Sequence, residues 1–386
     1  MILDSFGKTM FRPAWATIDL VALRRNFDLI RERLPKNAGV LAMVKADAYG
    51  HGSKEISLSL ESAGARALGV ATVEEGVELR EFGIRIPILV MSGLMGEGSA
   101  ASFRMVDAGL TPVVHSSGVL DSLEEAAVRA GRSADVHLKI DTGMSRLGVR
   151  PEALPQVLAK FKSCPHLRVE GVMTHLADAG DEEFSSGQIE KFVSCKKEIE
   201  AAIGPVRVWH AANSTAIMRG AGLEFDGAEE VWARPGLALF GDCDFDHPLR
   251  GSLDLVMGLE SRVMLLKHVP EGSKVSYGCT FTTKRRSRLA IVPIGYADGY
   301  PWALSGKAQV LIRGRRAPVA GRVTMDMIVI DVTDIEGVSV GDEVVLMGVQ
   351  GGESITLKEL AGWAGTIPYE ILCGVSKRMP RIYKRD

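Results

Sequence analysis

Eight short apolar runs, rich in β-branched residues, recur through the first two thirds of the chain, at 40–44, 67–71, 87–91, 110–114, 136–140, 169–173, 206–209 and 231–233. Segments of helical periodicity lie between them, at 53–65, 73–82, 117–130, 151–160, 186–202 and 213–218. Runs this short and this uniformly apolar read as strands buried on both faces. Parallel strands need a helical crossover at every step, so strict alternation of strand and helix points to a parallel sheet. A count of eight predicts closure into a (β/α)8 barrel of the TIM type. An open doubly wound sheet is the alternative, and the absence of a G-x-G-x-x-G turn weighs against it.

Past residue 250 the rhythm changes. Runs at 261–269, 288–294, 308–312, 327–332 and 343–347 are separated by Gly, Pro and Asp turns with no long helix between them, which predicts a second, mostly β domain. It closes with a helical patch at 357–363 and a last stretch at 369–383. A chain of 386 residues exceeds what one core usually supports. The expected division is therefore 12–250 for the barrel and 251–386 for the β domain, with residues 1–11 an arm packing against the second and the junction near 243–252.

Composition narrows the function classes. A formal net charge of -2 leaves no electrostatic footprint for nucleic acid or an anionic membrane surface. The N-terminal stretch carries Asp4 and Lys8 and has no continuous apolar core, so no signal peptide is expected, and no run reaches membrane-spanning length. The cysteines number five, scattered and without a C-x-x-C pair. Neither a disulfide framework nor a metal site follows, and the expected compartment is the reducing cytoplasm.

A barrel places its chemistry on the loops after the strands, at their C-terminal ends. The polar residues of this chain fall at those positions. Lys45 and Tyr49 follow the first run; Lys139 to Arg146 straddle the end of the fifth; Thr174-His175 follow the sixth; His210 to Ser214 the seventh; Arg234-Pro235-Gly236 the eighth. A lysine at the end of an apolar strand either snorkels to water or, desolvated and neutral, serves as a nucleophile toward a carbonyl or pyridoxal phosphate. His175 reads equally as a hydrogen-bonded structural histidine, and Asn213-Ser214 as the cap of the helix that follows. Ser214 with the backbone N–H groups of Gly236 and Leu237 also suits the phosphate cradle that such barrels build after strands seven and eight. Tyr277, in a turn of the β domain, reads on its own as half-buried packing.

The wording around these positions is more specific than their placement. Val44-Lys45-Ala46-Asp47-Ala48-Tyr49-Gly50-His51-Gly52 resembles the cofactor-lysine signature of the alanine racemases. The resemblance extends from Ala16-Thr17-Ile18-Asp19-Leu20 to Arg378-Met379-Pro380-Arg381-Ile382-Tyr383. It implies a fold-type III enzyme dependent on pyridoxal 5'-phosphate, acting on alanine as a head-to-tail homodimer with shared active sites and supplying D-alanine for peptidoglycan. Lys45 matches the Schiff-base lysine and one catalytic base; Tyr277, from the partner, matches the other. Arg234 matches the arginine at the pyridine nitrogen, His210 its histidine partner, and Arg146 the arginine near the phenolic oxygen and substrate carboxylate. Tyr49, Ser214, Gly236, Leu237 and Tyr369 match the phosphate site, while His175 and Asn213 flank the ring. Met325 matches the residue whose N–H meets the substrate carboxylate. Tyr296 and Tyr277 match the gate of the access channel, with Asp326 behind them. Lys139 matches a lysine carbamylated in many members.

Two departures stand out: Thr324 where cysteine is common, and Pro368 where asparagine usually precedes Tyr369. Arg234 and the lack of a Gly-rich phosphate loop argue against a basic amino-acid decarboxylase. A broader racemase acting also on serine, and a non-catalytic carrier of the cofactor, are the remaining alternatives. The carrier would leave the β domain without a purpose.

Overall fold

The computed structural model describes residues 2–3, 9–94, 99–243 and 251–385, and the side chains of residues 11–94, 100–243 and 251–385. It comprises two compact units: Arg24–Ala48 with Ser53–Leu253, and Met1–Leu23 with Tyr49–Gly52 and Asp254–Asp386. Residues 12–23 and 49–52, expected with the barrel, group with the C-terminal part of the chain. Most of the expected junction, 244–250, lies outside the described residues.

The first unit is the barrel. Strands β1 (Ala38–Met43), β2 (Ala67–Val70), β3 (Ile88–Val90), β4 (Thr111–Val114), β5 (Ala134–Lys139), β6 (Leu167–Met173), β7 (Val208–His210) and β8 (Glu230–Ala233) pair in parallel and close on themselves. Each matches an expected run to within about two residues at either end. Alternation along the strands divides their side chains. Val136, Leu138, Val172, Trp209 and Val231 join helix residues such as Leu123, Leu158, Phe192 and Ile199 in one buried cluster. The alternate positions face the barrel interior, where His137 pairs with Gly171, Met173 with His210, and Val208 with Glu230 in register. The interior therefore carries an unusual share of polar residues.

The second unit is built from sheets. Its largest has seven strands, with the path Arg315–Pro318, Gln309–Ile312, Glu343–Gln350, Met257–Arg262, Ala14–Asp19, Arg381–Lys384, and Glu353–Ile355 beside Glu343–Gln350. Ala14–Asp19 is almost wholly buried and sits between an antiparallel and a parallel neighbour. A second sheet joins Leu265–Val269, Ser287–Val292 and Ile328–Asp331. The single strand expected at 261–269 is thus two. At Val263 and Met264 the backbone passes from Asp342 O to Ile291 O as acceptor, handing the chain from one sheet to the other.

Candidate active site

β1 ends at Met43, and the backbone then does something rare. Ala46, Asp47, Ala48 and Tyr49 all take positive φ, between 52° and 54°, forming a left-handed turn directly after Lys45. Such geometry costs an L-residue roughly 1–2 kcal/mol each, so the surroundings must impose it. Glu75 supplies much of the hold: Oε1 accepts from the Ala46 N–H at 2.7 Å and Oε2 from the Ala71 N–H at 2.7 Å. Glu75 is itself fixed by a capping box with Thr72 at the start of the helix Val73–Glu81. Asp47 Oδ1 accepts from the Ser53 N–H at 2.7 Å. Lys45 is thereby presented on the exposed side of the strand end.

The loop after β5 is organised by Asp141, whose Oδ1 accepts from the N–H groups of Gly143, Met144 and Ser145 at 2.9–3.0 Å. It carries Arg146 into solvent. Lys139, buried at the end of β5, faces Arg234, Arg146 and Lys45, with Asp141 opposing them. Burial first, then these cations, push its amine down to about 8.

Arg234 extends β8 and is buried. Its Nη1 donates to His210 Nδ1 at 3.1 Å; its Nη2 donates to the Thr174 and Ala211 carbonyls at 2.7 and 2.8 Å, and lies 3.3 Å from His175 Nδ1. All of these are neutral acceptors. Burial and the Arg234 charge hold both His210 and His175 well below the ordinary histidine range, so both stay neutral at physiological pH. Gln188, on the helix Glu182–Ile203, ties neighbouring loops together by donating to Thr142 Oγ1 and the His175 carbonyl and accepting from the Ala177 N–H.

Asn213 caps the short helix Ser214–Arg219 through the Ala216 N–H at 3.0 Å. Ser214 Oγ accepts from the N–H of Gly236 at 2.9 Å and of Ala238 at 3.3 Å, at the start of the 3-10 turn Leu237–Phe240. With both N–H groups engaged by its oxygen, the Ser214 hydroxyl keeps its own proton to donate to an oxyanion. The residues fit a phosphate group.

In the second unit, the Tyr49 and Tyr369 rings pack with centroids 5.9 Å apart. Gly50 and Gly52 both have positive φ; a Cβ on Gly50 would lie 2.3 Å from the Leu372 backbone oxygen, and one on Gly52 would lie 1.9 Å from Tyr383 Oη, so that side chain would have to shift. Pro368 opens the helix Pro368–Gly374 at its first turn, where proline is well tolerated, and Tyr369 follows it. Tyr277 stands on a tight turn between Lys274–Val275 and Phe281–Thr282 and is 73% exposed; Met325 is 52% and Tyr296 44% exposed. The turns of Tyr296 and Met325 are joined by N–H bonds from Tyr296 to Thr324 O and from Ala297 to Met325 O. Asp326 pairs with Arg378 at 2.8 Å.

Sequence reasoning named Lys139, His175, His210, Ser214, Arg234 and Gly236, and the barrel unit brings them together. It missed Glu75 and Gln188. The Thr72-x-x-Glu75 spacing was a readable signal for the first; nothing local marks the second.

A closed parallel barrel with a buried guanidinium on neutral acceptors and polar side chains gathered at its C-terminal rim defines the scaffold of a barrel enzyme. Comparison with known proteins is specific. The family profiles for the alanine racemase N-terminal and C-terminal domains match residues 18–244 and 256–383. An alanine racemase of Halothermothrix orenii is 42% identical over 382 residues, covering 98% of each chain. One from Symbiobacterium thermophilum is 43% identical over 379 residues, covering 96% of this chain and 97% of its own. Among solved structures, alanine racemase of Clostridium difficile superposes with a TM-score of 0.88 at 33% identity, covering 97% of both chains. That of Bacillus anthracis with bound L-Ala-P gives 0.88 at 32% identity, over 98% and 97%. The chain belongs to the alanine racemase family.

Proposed function

We propose that the chain interconverts L-alanine and D-alanine with pyridoxal 5'-phosphate as cofactor, and that two copies complete each other's active sites. The observation that carries this reading is Arg234: a buried cation given only neutral acceptors, at the same barrel rim as Lys45 and the Ser214–Gly236 cradle.

Ser214, Gly236 and Leu237 would hold the phosphate. Lys45 would carry the cofactor covalently through its amine. Arg234 donates hydrogen bonds and does not give up its proton, so a pyridine nitrogen facing it keeps its lone pair. That weakens the ring as an electron sink and restrains side reactions. His175 and Asn213 would flank the ring, and Arg146 would meet its phenolic oxygen and the substrate carboxylate. When bound, the cofactor acidifies the α-proton of alanine. Lys45 then exchanges that proton on the face of the D-enantiomer, and the hydroxyl of Tyr277 of the partner subunit on the face of the L-enantiomer.

Support for the shared site comes from the exposed residues of the second unit. Tyr277, Tyr296, Trp302, Met325 and Met327 are all large, apolar and open to solvent. The Arg322 guanidinium links two of their turns, lying 5.5 Å over the Trp302 ring and close to Gly278. A surface of this kind is suited to a partner. Met325 of the partner subunit would offer its N–H to the substrate carboxylate. Tyr296 would gate the channel, its neighbouring turn held by the Asp326–Arg378 pair. At Lys139, CO2 adding to the neutral amine with loss of a proton would place a carbamate anion among three cations. Among the described residues no helix is long and apolar enough to cross a membrane; the proposed site of action is the cytoplasm, supplying D-alanine for peptidoglycan.

The test is direct. The purified holoenzyme is incubated with L-alanine and the enantiomers are resolved, and the cofactor is then fixed by borohydride and mapped. D-alanine and a label on Lys45 are expected. No D-alanine, or a label on any other lysine, overturns the proposal.

A further inference from the structure

Below the rim, the barrel interior holds a second polar layer that the proposed chemistry does not use. His137, on β5 one layer beneath Lys139, is fully buried, and its Nδ1 lies 2.8 Å from His210 Nε2. Its Nε2 faces Glu170 Oε2 at 3.6 Å, a contact that is electrostatic rather than hydrogen-bonded. Glu170 pairs with Arg207; Arg207 pairs with Glu230 at 2.8 Å; Glu230 also accepts from Trp232 Nε1 at 2.8 Å.

Two features of the backbone make room for this arrangement. β5 and β6 pair Val136 with Val169 and then His137 with Gly171, so Glu170 is passed over and forms a β-bulge. Bulges re-aim side chains beside active sites. Gly171, opposite His137, has no space for a side chain: a Cβ would stand 2.4 Å from the imidazole Nδ1 and Cε1. An extra residue on one strand and a glycine next to it thus seat one ring.

The positions of the protons follow from the order of the chain. Arg234 only donates, so His210 Nδ1 accepts, and the neutral His210 must carry its proton on Nε2. That proton points at His137 Nδ1, which must accept. His137 in turn carries its proton on Nε2, toward the Glu170 carboxylate. Each ring is thus limited to one tautomer, and the His137 Nε2–H faces the Glu170 carboxylate through its charge rather than through a hydrogen bond. The His137 ring and then Arg207 hold Glu170 ionised down to about 2 despite burial, which keeps the far end of the chain negative.

We propose that His137 is a positioning residue for Arg234: by accepting the Nε2–H of His210 above the Glu170 bulge, it locks His210 in the tautomer that aims the guanidinium into the rim. The order of protons is a property of the protein alone; its effect on turnover rests on the function proposed above.

The experiment has two arms. In [15N]histidine-labelled holoenzyme, solid-state NMR at neutral pH is expected to show His137 and His210 neutral and protonated on Nε2, the His137 signals being assigned by their loss in His137→Phe and His137→Gln and those of His210 by their loss in His210→Gln. A proton on Nδ1 of His210, or a cationic His137, overturns the proposal. In the kinetic arm, His137→Phe removes the acceptor. Its kcat should fall about 10-fold or more, the scale of one buried donor left unpaired, with KM for alanine little changed and the visible absorbance of the cofactor shifted. His137→Gln, whose side-chain oxygen still accepts, should restore most of the rate. Parental kcat and an unshifted spectrum in a folded His137→Phe overturn the positioning role; if that variant does not fold, the NMR arm and His137→Gln decide. A parent enzyme that makes no D-alanine is a failure of the proposed function instead, and leaves the proton order to be read by NMR.

Discussion

The barrel rim and the turns of the second unit carry the two halves of the proposed chemistry in opposite physical states. On the barrel side, His210, Ser214 and Arg234 are buried and tied to named partners, and Lys139 is buried with them. On the other side, Tyr277, Met325 and Tyr296 stand in solvent on short turns. These buried groups find their hydrogen-bond partners within their own chain, so the barrel half needs no second copy to hold them in place. Exposed groups gain a defined environment only from something that covers them. Under the proposed function, the contrast assigns the cofactor side of the site to folding of one chain and the second base to assembly of two.

Three measurements break or sharpen this contrast. The largest effect is expected at the two bases. Lys45→Ala should abolish covalent cofactor capture and lower turnover by more than about 10³-fold, while Tyr277→Phe should slow the reaction from L-alanine by about 10²- to 10⁴-fold and leave cofactor binding near parental. Steady-state kinetics in both directions with a cofactor titration separate the two. Equal loss of binding in Tyr277→Phe would make that tyrosine part of the cofactor pocket and erase the division.

A smaller effect belongs to Glu75. Glu75→Gln cannot accept on both sides, so at least one of the Ala46, Ala71 and Thr72 N–H groups loses its partner. The expected cost is about 1–3 kcal/mol in denaturant titration, together with weaker cofactor retention as the left-handed turn after Lys45 relaxes. Parental stability would show that the turn is held by other contacts.

The smallest effect is a pH dependence at Lys139. Its amine lies at about 8 in the fold against an ordinary value of about 10.5, so the folded state loses this proton first. The penalty of the buried cation is fully present below pH 8 and is relieved as pH rises from about 8 to 10.5. Lys139→Met should therefore be more stable than the parent at pH 7, and the gap should close across that window. A gap independent of pH across that window would show that Lys139 does not titrate as a free amine, which is the behaviour of the proposed carbamate.

How much of this was legible in the sequence differs by element. The eight runs gave the barrel strands because a strand buried on both faces needs nothing but local apolarity to be seen. Lys45, His210 and Arg234 were legible because each follows such a run, where a barrel puts its chemistry. The break at Val263–Met264 was not, since either half is a good strand and only the hydrogen-bond partners, Asp342 and Ile291, separate them. Asn213 carried both readings, and the structure displays the cap without removing the other.

The sequence by itself determined the rhythm of strands and helices, the lysine at the first strand end, and the family wording around it. Those are properties of neighbouring residues. Tertiary structure decided that Ala14–Asp19 joins the sheet of the C-terminal unit, that Arg12 pairs with Asp298 across 286 positions, and that the residues after Lys45 turn left-handed. It also decided that Glu170 bulges out of register and that His137 lies against His210. Each of these depends on a hydrogen bond or charge whose partner is distant in the chain, and no local pattern encodes the identity of a distant partner.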